Sequence, residues 1–93
     1  MKDLTKDEQL AVSIFKNIMP KIEEIRNNDT LTEEDKKESA YNLILSSLCM
    51  ARNIDPTVTT GIKSEYVTKV RNIVNAKPNI DAIIQYMNCM INK

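Results

Sequence analysis

The sequence predicts an all-α fold: one domain built as a compact bundle of four helices, or five if Pro20 splits the first. Three observations carry this. Apolar residues recur at spacings of three and four through most of the chain, which is the period of one helix face. Glycine occurs once, at Gly61, and the aromatic residues are Phe15, Tyr41, Tyr66 and Tyr86 alone, whereas sheet proteins draw on glycine turns and aromatic strands. The chain has 93 residues, 42% apolar and 28% charged, a balance that suits one small hydrophobic core and argues against a disordered tail.

The first helix is expected over about 5–27. Thr5-Lys6-Asp7-Glu8 has the form of a capping box, in which hydroxyl and carboxylate each satisfy a backbone donor that the helix leaves unpaired. Leu10, Ile14, Ile18, Ile22 and Ile25 then form a helical stripe that runs through Pro20. Proline inside a helix removes a hydrogen bond and crowds the preceding turn, at about 3 kcal/mol. A kink at Pro20 reconciles stripe and proline, and two short helices meeting near Met19 are the alternative.

The second helix is expected over 33–52, capped by Thr32, with Glu33, Glu34 and Asp35 in its first turn, where the helix dipole favours negative charge. From Ala40 onward Tyr41, Leu43, Ile44, Leu45, Leu48, Cys49, Met50 and Ala51 cover nearly every face, so this helix is assigned to the centre of the bundle. Asp55-Pro56 ends it. The third helix is expected over 60–76, starting at Thr59 or Thr60, with Ile62, Tyr66, Val67, Val70, Ile73 and Val74 as its stripe. Its β-branched content suits a strand, but the spacing of three and four decides for a helix. The fourth helix, over 79–91, sets Ile80, Ile83, Ile84, Met87, Met90 and Ile91 on a wide apolar arc. Short links between the helices favour antiparallel neighbours.

Composition narrows the function classes. With one glycine, the glycine-rich phosphate loops and the serine-hydrolase elbow are excluded. With no histidine, histidine-based triads and the common metal ligand sets are excluded too. The carboxylates cluster at helix starts and at Glu23-Glu24, where capping and solvation account for them. The expectation is therefore a chain that is not an enzyme and carries no catalytic residue, cofactor or metal. Cys49 and Cys89, 40 residues apart, read as small core residues in a reducing compartment, with a disulfide or a reactive thiol as alternatives. The start lacks an apolar leader, and the longest apolar stretch, 43–51, is broken by Ser46 and Ser47 and falls short of the ~20 residues of a membrane span. The expected location is cytoplasmic, without membrane contact.

Two readings follow. The first is a non-enzymatic protein–protein interaction module, of the kind found among small inhibitors, immunity proteins and adaptors in bacteria and phages. Its interface is expected at an apolar patch of Tyr86, Met87, Met90 and neighbours, or at the acidic surface of residues 23–38, with Glu23, Glu24 and Glu34 foremost. Two helices that seek burial on most sides leave room for a protein partner or a homodimer. The alternative is a small DNA-binding regulator using a degenerate helix-turn-helix around 51–77, with Lys63, Lys69, Arg71 and Lys77 meeting phosphates. Against it stand a net charge of zero, where nucleic-acid binders carry a basic excess, and the absence of a glycine in the turn. Residues 1–46 carry 7 basic and 10 acidic groups, net −3, and residues 47–93 carry 6 and 3, net +3. That polarity allows pairing within the fold or between subunits.

Overall fold

Capping chemistry sets the helix starts. In the computed structural model, which describes residues 4–51 and 61–92, the Glu8 N–H donates to Thr5 Oγ1 at 3.1 Å and the Thr5 N–H to Glu8 Oε1 at 3.1 Å. This reciprocal box opens α1, Lys6–Arg26. Thr32 Oγ1 accepts from the Asp35 N–H at 3.1 Å and opens α2, Glu33–Met50. Asn79 Oδ1 accepts from the Ala82 N–H at 3.0 Å and opens α4, Ile80–Ile91. The remaining helix, α3, spans Ser64–Asn75 and has no side-chain cap at Lys63. Together they make an all-α bundle of four helices, and among the described residues no strand forms.

α1 passes Pro20 without interruption, so the first helix is one element and not two. The proline is tolerated because of where it sits. Pro20 is exposed, and so is Lys16, whose carbonyl loses its intrahelical N–H partner and can turn to water instead. The buried line of α1 is Ala11, Phe15 and Ile22 with Val12 beside it. Leu10, Ile14, Ile18 and Ile25 are only half-buried. The expected isoleucine stripe therefore borders the core-facing line and shares only Ile22 with it.

α2 contacts each of the other three helices, as its central assignment required. Its buried line is narrower than its composition suggested: Ala40, Ile44 and Leu48. Met50 stands 88% exposed. Cys49 and Cys89 are both exposed free thiols, which overturns their reading as core residues. Cys49 follows Leu48 by about 100° around α2, and Cys89 stands about 100° from Met90 on α4, which carries each off the buried line.

α3 begins later than the spacing implied. The Ile62 N–H donates to the Ala51 carbonyl at 2.8 Å. This pairing with the end of α2 holds Ile62 outside the helix, although its side chain is buried. The stripe of α3 is then Val67, Val70 and Val74. α4 supplies Ile80, Ile83, Ile84, Met87 and Met90 to the core.

Cross-chain bonds fix the topology. The Lys63 N–H donates to Asp7 Oδ1 at 3.4 Å, so α1 and α3 start at the same end. Arg26 pairs with Asp81 at 3.9 Å, so α4 starts where α1 stops. The chain runs up, down, up, down. α1, α2 and α4 pack against one another, while α3 packs chiefly on α2 and stands off from α1 and α4.

Candidate functional site

The structure sorts the candidate residues by burial. Met87 is 0% and Met90 5% exposed. An apolar interface patch built on them is overturned, because their side chains are already covered by this chain's own helices. Tyr86 is half-buried. Its ring meets Phe15 edge-on, with centroids 6.1 Å apart at 65°, and the Lys77 ammonium lies 5.6 Å from its centroid. Lys77 is thus engaged over an aromatic face.

Because α3 stands off from its neighbours, long side chains fill the gap. A groove of about 120 Å³ is lined by Glu8, Tyr66, Lys69, Val70, Ile73, Tyr86 and Met90. An adjoining depression joins Lys63 and Lys69 to Asp7, Glu65 and Tyr66. Two of the four basic residues singled out for phosphate binding therefore meet in one place, with two carboxylates beside them. Lys69 and Arg71, both exposed, are two positions apart and so about 200° apart around the helix. Of the turn proposed for a helix-turn-helix, residues 51–59, all but Ala51 lie outside the described residues.

Burial raises the Tyr66 phenol far above its ordinary 10.0, with Tyr86, Glu8 and Asp7 adding in the same direction. Burial and then Glu8 raise Tyr86 as well. The folded chain thus keeps phenolic protons that the unfolded chain releases above pH 10.0. This contribution to stability is fully present below pH 10.0 and is lost as pH climbs through the folded values. In one alkaline titration, followed by tyrosinate absorbance and circular dichroism, part of the absorbance should rise only together with the loss of helix. Complete ionisation of an intact helical bundle would contradict this.

The acidic candidates divide. Glu23 and Glu24 are exposed near the end of α1. Glu34 lines a separate, larger depression of about 350 Å³, with Asp35, Lys37, Glu38, Tyr41 and Asn42 from α2 and Asn75 from α3, and Glu23 and Glu24 do not reach it. Glu34, Glu38 and Tyr41 follow at four and three residues, so one face of α2 presents them together. Three carboxylates against one ammonium give the lining a formal charge of −2. Tyr41 is half-buried and offers a ring beside them. Such a lining can receive a guanidinium or ammonium group through carboxylate pairing and contact with the ring. The acidic stretch 23–38 singled out in the sequence holds Glu34 and Glu38 but not Tyr41 and Asn42, whose helical spacing from them was the available signal. Nothing in the sequence points to Asn75, which only tertiary packing brings there.

Among the described residues, no group of three or more acidic or thiol side chains is placed to hold a metal ion, and no helix is long and apolar enough to cross a membrane. Compared with protein-family models, curated proteins and solved structures, the chain matches none.

Proposed function

We propose that this chain is a non-enzymatic protein-interaction module that docks a basic segment of a larger protein, in the manner of a small inhibitor, immunity or adaptor protein. One observation carries the reading: the depression lined by Glu34, Asp35, Glu38 and Tyr41, net acidic despite Lys37, with Asn42 and Asn75 offering amides. Carboxylates select a cation, the ring adds a face for a flat guanidinium, and amides fix its orientation. A cytoplasmic site of action goes with this reading, since two exposed free thiols suit a reducing compartment.

DNA binding through Lys63 and Lys69 is the competing reading, weakened by Asp7 and Glu65 in the same depression. Fluorescence anisotropy separates the two. A labelled arginine-rich peptide should bind the chain, weaken as salt rises, and lose about tenfold in affinity, or about 1.4 kcal/mol, in the Glu34→Gln/Glu38→Gln double variant. Circular dichroism should stay unchanged, because both side chains are exposed. If labelled duplex DNA binds instead and Lys63→Glu/Lys69→Glu abolishes it, the interaction reading fails.

A further inference from the structure

The four helices are not equally held. α1, α2 and α4 each pack closely on the other two, whereas α3 packs closely on α2 alone. Its buried residues are three valines, Val67, Val70 and Val74, and Val70 also lines the groove toward α1 and α4. A groove separates the rest of α3 from α1 and α4, bridged by the half-buried side chains of Tyr66, Ile73 and Tyr86. The start of α3 is also weakly fastened. Lys63 gives no side-chain cap, and the bonds that tie this end to the bundle include Ile62 N–H to the Ala51 carbonyl at 2.8 Å and a long one, Lys63 N–H to Asp7 Oδ1, at 3.4 Å. The helix is short at 12 residues, and the β-branched residues Val67, Thr68, Val70, Ile73 and Val74 lower its intrinsic helicity. A short helix takes its stability from tertiary packing, and α3 has the least of it.

From this arrangement we infer that α3 is a flap on a three-helix base: it opens as a unit while α1, α2 and α4 stay packed. Opening lifts the valine line out of the core and breaks the two bonds at Ile62 and Lys63. The end near Asn75 stays anchored through the Lys77–Tyr86 contact and the short link to Asn79. Local openings of this kind occur below the free energy of global unfolding where buried apolar contact is sparse.

Native-state hydrogen exchange of the full chain tests the inference. After correction for intrinsic rates, the amides of Val70, Ile73 and Val74 should exchange at least about tenfold faster than those of Phe15, Ile44 and Met87, and they should share one opening free energy. The Lys63→Ser variant supplies the missing cap. It should slow exchange in α3 by several-fold and leave α1 and α4 amides unchanged relative to α2. If the α3 amides share the opening free energy of the other helices, or if the new cap leaves their exchange unchanged, the inference is overturned.

Discussion

Replacing Met87 with Asp should abolish the cooperative fold. Met87 is fully buried on α4, the helix that packs on both α1 and α2. The change removes its apolar burial and introduces a carboxyl group with no partner in view. Losing the methionine alone costs about 2–5 kcal/mol, and a carboxylate taken out of water costs several more unless it is paired or protonated. A chain of 93 residues has a total stability of about 5–14 kcal/mol, at roughly 0.05–0.15 kcal/mol per residue. The far-ultraviolet dichroism of helix should therefore collapse, or the thermal transition should lose its cooperativity. A variant that keeps its helical spectrum and changes only its oligomeric state would put Met87 on an interface.

Phe15→Ala should be the most damaging of the purely apolar truncations. Phe15 is fully buried on α1 and its ring meets Tyr86 of α4 edge-on, so it joins two of the base helices at one point. Phenylalanine truncation in a core costs about 3–5 kcal/mol, and the lost aromatic pair is part of that figure. The urea midpoint should fall sharply with its slope little changed. Ile73→Ala, on the half-buried border of α3, should cost clearly less. Equal losses at the two positions would mean that α3 is held as firmly as α1.

The features that local chemistry controls were legible in the sequence. The Thr5–Glu8 capping box, the Thr32 cap and the valine stripe of α3 depend on neighbours within one turn, and each stands where spacing placed it. What depends on distant neighbours was not legible. Composition shows that α2 is apolar nearly all round, but not which sectors the other helices occupy. They cover Ala40, Ile44 and Leu48 and leave Cys49 and Met50 outside. The start of α3 turns on a bond between Ile62 and Ala51, a pairing that no local pattern encodes. Pro20 was a conflict in sequence and resolves in three dimensions because its face of α1 meets solvent.

The candidate site follows the same division. Glu34, Glu38 and Tyr41 could be read from helical spacing, while Asn75 enters only because the end of α3 lies beside the start of α2. The buried state of Met87 and Met90 moved the expected contact surface from α4 to this depression. Amide chemical-shift mapping during titration with the arginine-rich peptide tests that placement most directly. Shifts should concentrate at Glu34, Glu38, Tyr41, Asn42 and Asn75 and be absent from the Glu34→Gln/Glu38→Gln variant. Shifts that instead cluster at Lys63, Lys69 and Tyr66, or that persist in the variant, would contradict that placement.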